Sequence, residues 1–419
     1  MSTRRRSPTS LFGPDLLETL RLQRAGVVYA LILLALALEI ITKARGQAGF
    51  LTPINVTNVL DQSSLVGFMA VFMTVVLISG NFDLSVASTA ALGGSVCVKL
   101  IGPWGFYPAL LAALLAGIAC GVTNGLLVQK LGINAFIVTL GTLTAIRGLV
   151  LVITDSRSVQ SSSETLFSFE AGRWQLPGWA AISVGVLLVT AGAARLLAGR
   201  RTPGAPPLDR LTCALLVFGA AVGLLGLLND DYLNLTRPTW YMLAAAAVVI
   251  LALNFTVPGR RLFAVGGNAE AARLSGIRVD LYRIVAFTLM GLAASFVGVI
   301  YAGKFGGMNP DALTGTELTV ITAAILGGTS LFGGAGAVSK SLVGALILYG
   351  LNNGFNVLNV GSTYQYLIQG VIIVAAAAIY TSAGRKRRYG WRRRRTDPVV
   401  EPAVEDEEEQ VEEGARITA

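Results

Sequence analysis

The chain has 419 residues, 53% of them hydrophobic and 14% charged, with a mean hydropathy of +0.65. Soluble globular proteins carry about 25% charged residues, so a chain built only of water-exposed domains is excluded. There is no histidine, and Cys97, Cys120 and Cys213 stand in apolar runs without CxxC spacing. That excludes His-based triads, His metal sites and His proton relays, and leaves no disulfide framework, metal site or cofactor to expect.

A helix needs roughly 20 apolar residues to cross a bilayer. Runs of this kind predict spans near 26–42, 64–80, 85–101, 105–128, 133–153, 179–198, 211–228, 239–256, 284–303, 317–333, 337–358 and 364–381. The third and tenth are Gly-rich and weak, so ten to twelve spans are expected in an all-α, polytopic membrane protein. Residues 1–25 precede the first run and carry Arg4, Arg5, Arg6, Arg21 and Arg24. That is long for a signal-peptide n-region, so the run reads as an uncleaved span. Between spans, 154–178 is Ser-rich and 199–210 is a Pro/Gly linker. Residues 26–383 thus form the transmembrane domain, and 384–419 a disordered, charged tail.

The net charge of +9 comes from 33 Lys+Arg against 24 Asp+Glu. Its distribution decides between nucleic acid and membrane. With the N-terminus placed in the cytoplasm and the spans alternating, 25 of the 33 basic residues fall on the cytoplasmic side. This is the positive-inside bias, and it predicts both termini in the cytoplasm and no nucleic-acid partner. The tail holds nine basic and nine acidic residues in blocks, a solvated segment whose basic block sits on anionic lipid headgroups.

Residues 121–141 overlay 350–370 at one offset, with Gly121/Gly350, Asn124/Asn353, Gly125/Gly354, Val128/Val357, Gly132/Gly361 and Gly141/Gly370 identical. The predicted topology runs the two segments in opposite directions. An inverted repeat follows, a device that places the transport path at the repeat interface.

Residues 257–283 form the longest soluble motif among the spans. Asn268 is a good N-cap, 269–275 are mostly helix formers and Gly276 is a good stop. Two turns cannot hold themselves in water, so this helix must dock on something. Asp83, flanked by Asn81 and Ser85, either lines a polar path or caps the helix beginning near Leu84. Asn352, Asn353 and Asn356 put three amides on one span, and with Asn124 they face the path or bond neighbouring helices. Arg147 lies inside a span as a functional or snorkelling charge, and Glu39 is read as interfacial. Gly117, Gly121 and Gly125 are spaced for close helix packing. The nearest approach to a P-loop, Gly298 to Lys304, is followed by Phe305 and ends an apolar span, so no ATP site is expected here.

The stretch GGNAEAARLSGI resembles the cytoplasmic coupling loop of permease subunits from bacterial ABC-type sugar importers, the ribose/xylose/galactose permease family. SGNFDLSVAS (79–88), residues 124–149 and residues 323–358 agree with that family in its order. The family's Gly-Gly-Ile before DLS is Gly80-Asn81-Phe82 here, and Ala87 stands where it has Gly. The extra length at 154–254 is similar to the xylose-type branch. The resemblance implies a type II-importer-like permease fold in the bacterial inner membrane. It further implies a homodimer, separate ATPase subunits below, and an extracytoplasmic binding protein that delivers a monosaccharide, with a pentose favoured. By that resemblance Asn268, Glu270, Ala271, Arg273, Ser275 and Gly276 form the coupling element. The subunit is then expected to be no enzyme. The competing reading is a secondary transporter driven by an ion gradient. It needs ionisable groups deep in the core, and Glu39, Asp83, Arg147 and Glu317 lie mostly near span ends.

Overall fold

The computed structural model describes residues 22–201 and 230–359, scattered positions between 215 and 227, and 367, 370 and 371. The expected tail, most of the span at 364–381 and much of that at 211–228 lie outside the described residues. So do Cys213 and residues 1–21.

Helices dominate the rest. They are α1 (Leu22–Ala44), α2 (Pro53–Ile78), α3 (Val86–Trp104), α4 (Phe106–Lys130), α5 (Ala135–Thr154), α6 (Glu164–Ala171) and α7 (Gly178–Arg201). After them come α8 (Arg237–Phe255), α9 (Val257–Gly267), α10 (Ala269–Leu274), α11 (Val279–Phe305), α12 (Thr316–Leu326) and α13 (Val338–Val357). Eight of these, α1 to α5, α7, α8 and α11, are long and apolar enough to cross a membrane. The fold is all-α and polytopic.

Two boundaries depart from the hydropathy reading. The span expected at 64–80 begins at Pro53, where Thr52 accepts a hydrogen bond from the Asn55 amide and proline takes the first turn. Its first ten residues include Asn55, Thr57, Asn58 and Asp61, and a hydropathy window cannot see them as helix. The run at 317–333 yields only the 11 residues of α12 before Gly327 and Gly328. At 1.5 Å per residue that is about 16 Å, half the bilayer core of about 30 Å.

The packing has an exchanged symmetry. α11 packs on α3 and α4, whereas α2 packs on α12 and α13. The last turn of α4 holds Gln129, beside Arg283, near the start of α11. α13 starts at the end of α2, where Thr74 donates to Ser341 at 2.7 Å. The helices α4 and α13, on which the two repeat segments begin, therefore run in opposite directions through the bundle. Asn124 and Asn353, paired by the sequence overlay, are both buried, and each keeps an amide oxygen without a partner.

Small residues set the distances. A Cβ on Gly117 would meet the Gly291 carbonyl, one on Gly121 the Phe287 carbonyl, and one on Gly125 the Ile284 Cα at 2.9 Å. The spaced glycines of α4 are thus the seam that lets α11 approach backbone to backbone.

The connections gather at two ends. The segments 79–85, 131–134, 256–278 and 327–337 meet at one, called here the basic end. At the other, β1 (Val159–Gln160) pairs antiparallel with β4 (Gly307–Met308), and β2 (Arg173–Gln175) with β3 (Asn234–Thr236). The Ser-rich segment is therefore built structure, since α6 within it packs on α11.

Candidate functional site

Residues 257–278 project from the basic end as two helices. Thr256 caps α9 by accepting from the Gly259 amide at 3.2 Å, with Pro258 in the first turn. The sequence reading missed α9 because Gly259, Gly266 and Gly267 depress helix propensity, although the Thr-x-Pro start was its signal. α10 matches expectation closely. Asn268 Oδ1 accepts from the Ala271 amide at 3.0 Å. At the other end the amides of Gly276 and Ile277 donate to the carbonyls of Arg273 and Ala272, with Gly276 at φ 77°. This is the Schellman closure, which needs the left-handed region that glycine enters freely.

Capped at both ends, six residues still hold only by docking. Ala272 alone is buried, packed with Val265 and Val279. Asn268, Glu270, Ala271, Ser275 and Gly276 are exposed, and Leu274 is 86% exposed. Arg273 is exposed too, but its guanidinium folds back to Asp280 at 2.9 Å.

That arginine borders a cavity of about 380 Å³ lined by Gly80, Asn81, Gln129, Ile133, Asn134 and Arg283, among others. Arg283 spans it from α11, donating to the Ser79 carbonyl at 3.2 Å and to Gln129 Oε1 at 3.3 Å. Beside it three backbones touch. The Gly334 amide donates to the Ile78 carbonyl at 3.0 Å. A Cβ on Gly266 would meet that same carbonyl, and one on Gly333 would lie 2.7 Å from the Gly266 oxygen. This junction joins α9, the end of α2 and the loop before α13. The LGGTSLFGGAG stretch supplies its glycines and leaves Phe332 94% exposed.

The expected path residues separate into three sets. Asn124 Nδ2 donates to Ser85 Oγ at 2.9 Å, and Ser85 donates its hydroxyl at 2.6 Å and its amide at 2.8 Å to Asp83 Oδ1. Asp83 closes a turn ahead of α3, which starts at Val86, rather than capping it from Leu84. Burial pushes the Asp83 carboxyl above its ordinary range, against the hydrogen bonds from Ser85 and Asn124. Asn81 sits apart from this relay, its amide donating to Ser79 Oγ at 3.3 Å. Asn352, Asn353 and Asn356 lie on the far half of α13, where Gly354 meets Leu38 of α1. The structure does not bring them to Asp83.

The family model for the branched-chain amino acid transport system / permease component matches residues 55–377. The chain belongs to this permease family. The xylose transport system permease protein XylH of Escherichia coli (strain K12) is 32% identical over 371 residues, covering 85% of this chain and 91% of that protein. The ribose import permease protein RbsC of the same strain is 35% identical over 343 residues, covering 82% and 90%. The L-arabinose ABC transporter permease protein AraH of Azospirillum brasilense is 31% identical over 354 residues, covering 84% and 86%. No solved structure matches.

At its other end the permease carries a network that the sequence reading did not single out. Lys304 Nζ lies 2.6 Å from Asp61 Oδ2 and 4.0 Å from Glu170, and Thr236 donates to Asp61 Oδ1 at 2.8 Å. Lys304, the last residue of the apparent P-loop match, is thus an ion-pair partner. Asp61 was hidden in the polar start of α2, and Glu170 in a segment read as loop. Burial raises the Glu170 carboxyl, with Lys304 opposing and Asp61 adding to the shift. Arg147 donates to the carbonyls of Pro310 and Ala312, so this intramembrane cation fastens the loop before α12. Glu39 pairs with Lys43 at 2.7 Å and accepts from the Leu51 amide at 2.8 Å, close to the interfacial role expected.

Proposed function

We propose that the permease is the membrane-spanning subunit of an ATP-driven importer of a monosaccharide, a pentose favoured. The observation that carries this reading is α10, a six-residue helix capped at both ends whose outer face is left exposed. A separate ATPase subunit docks on Asn268, Glu270, Ala271, Arg273, Ser275 and Gly276, with the exposed Leu274 among them. The names of the xylose, ribose and arabinose relatives support the substrate class. By the same reading an extracytoplasmic binding protein delivers the sugar, two permease copies pair in the inner membrane, and both termini face the cytoplasm. The basic end is then the cytoplasmic end.

The mechanism follows from the connections of α10. Closure of the ATPase displaces α10, which is continuous with α11 through residues 275–278 and with α9 through Asn268. α9 bears on α2 and on the loop before α13 through Gly266, so one displacement reaches both halves of the exchanged bundle. Rocking those halves alternates access to a path between them, a population shift driven by ATP-dependent contacts. Asp83, Ser85 and Asn124 join α3 to α4 as one body, and with Asn81, Asn352, Asn353 and Asn356 they are the proposed polar groups toward the path.

The test is sugar uptake into vesicles containing the permease with its ATPase. Uptake is expected to require ATP and to survive an uncoupler at constant ATP, and the purified permease alone is expected to hydrolyse none. Uptake that collapses with the ion gradient instead establishes the secondary transporter. Replacing Glu270 and Arg273 together is expected to uncouple transport with insertion intact, and normal transport in that variant removes the coupling assignment.

A further inference from the structure

The cavity at the basic end combines three features that no helix-packing role requires. The first is Arg283, half-buried, whose described hydrogen-bond partners are a neutral carbonyl and a neutral amide oxygen. Asp280 is the carboxylate nearby. It is engaged by Arg273 at 2.9 Å and by Lys130 at 3.7 Å, and among the described residues Arg283 has no ion pair. Three cations thus surround one anion. The second feature is the start of α5, a helix of 20 residues whose cap Asn134 and first residue Ala135 both line the cavity. Asn134 Oδ1 accepts from the Phe136 amide at 2.8 Å, and the rest of the first turn keeps the partial positive charge of a helix N-terminus. The third is space, about 380 Å³.

One wall of this space is apolar. Phe82, Val128 and Ile133 line it, and the surface continues onto Leu131, Phe136, Ile137 and Leu140, which are 65%, 48%, 63% and 45% exposed. The last three lie on α5, a membrane-spanning helix, so this exposed face meets acyl chains. A positive cavity opening along a lipid-facing helix fits one chemistry, a phosphate ester carrying hydrocarbon. Basic pockets between spans on the cytoplasmic side are suited to such headgroups.

We propose that this cavity binds the headgroup of an anionic phospholipid. Its phosphate sits between Arg283, Arg273 and the α5 N-terminus, and its chains lie along Phe136, Ile137 and Leu140. The bound lipid adds the missing negative charge and ties α10 to α5 and to the end of α2. The proposal depends only on the chain spanning a bilayer, not on what it transports.

The test is lipid retention by the full-length permease, extracted from vesicles of equal parts phosphatidylglycerol and phosphatidylethanolamine and weighed intact by native mass spectrometry. One phosphatidylglycerol per chain is expected to be retained over phosphatidylethanolamine. One arginine–headgroup contact corresponds to about fivefold in retention, so Arg283→Gln should lower it by about that factor. Ile133→Trp fills the cavity while keeping both arginines, and it should lower retention with the melting temperature unchanged. Arg147→Gln, at the other end of the bundle, should not. Equal retention of the two lipids, or retention unchanged in both Arg283→Gln and Ile133→Trp, overturns the proposal. A soluble probe separates the remaining source. If sn-glycerol 3-phosphate displaces phosphatidylglycerol or binds as well without it, the cavity is a site for free phosphate esters and the lipid assignment is wrong.

Discussion

The two ends of the bundle are held by different physics. At the basic end, Ile78, Gly266, Gly333 and Gly334 touch through main-chain atoms. At the other end, beside the short β1–β4 and β2–β3 pairings, side chains carry the contacts between helices: the Lys304–Asp61 pair with Glu170, Arg147 on two carbonyls, and aromatic rings of Phe169, Tyr241 and Phe296 packed within 6 Å of one another. Main-chain contact has no rotamers to absorb a displacement, so it passes motion on. A side-chain network holds by charge and fit, and it yields when one member changes. The difference assigns transmission to the end that carries α10 and its backbone junction, and fastening to the end that carries the Lys304 network.

Breaking the fastening should have the largest effect. Lys304→Met leaves Asp61 with Thr236 but no cation, and an unpaired, largely buried carboxylate costs about 3 kcal/mol. Denaturant unfolding in detergent should show that loss, and Asp61→Asn added to Lys304→Met should recover much of it. A recovery of nothing means that the pair is not what holds α2 to α11. At the transmitting end Gly266→Ala forces the three backbones apart, with an overpacking cost of about 2 kcal/mol. Its functional signature should exceed its stability loss, with ATP turnover by the assembled transporter continuing while uptake falls. Uptake that falls only in proportion to folded protein makes the junction structural. Smaller still, Asn268→Ala removes one cap, worth about 1 kcal/mol, and should loosen α10 in hydrogen exchange while the Lys304 end stays protected.

The legibility of the fold followed the same division. Spans were readable because a bilayer demands long apolar helices, and α10 because caps are local chemistry carried by Asn268 and Gly276. The seam of Gly117, Gly121 and Gly125 was visible as spacing. The partner of each glycine was not, because Gly291 and Phe287 lie more than 150 positions away. Asp61, Glu170 and Lys304 escaped for the same reason. Each alone reads as an ordinary charge near a span end or in a loop, and only the packing of α2, α6 and α11 makes them a network. Arg273 shows the limit within a motif. Its place on the short helix is local, but its direction, toward Asp280 and the cavity, depends on where α11 starts.

The smallest expected effect is a change of slope with pH, and it distinguishes the two ends again. Burial holds the Glu170 carboxyl above its ordinary range, so the folded chain binds that proton more tightly than the unfolded one. Unfolding then releases a proton between the ordinary and the raised value. Stability from this group is therefore greatest below the ordinary carboxylate range, falls as pH rises through the window, and levels off above the raised value. Glu170→Gln has nothing to titrate, so its stability relative to the native chain should improve as pH rises through that window. Lys304 opposes the shift from 4.0 Å and Asp61 reinforces it. In the Lys304→Met background the dependence on Glu170 should therefore steepen. Asp83 is raised by burial too, but its partners Ser85 and Asn124 are neutral. Asp83→Asn should thus remove its own slope without responding to Lys304→Met. If the slope of Asp83 changes with Lys304, the two ends are electrostatically coupled and their separation into a transmitting and a fastening end fails.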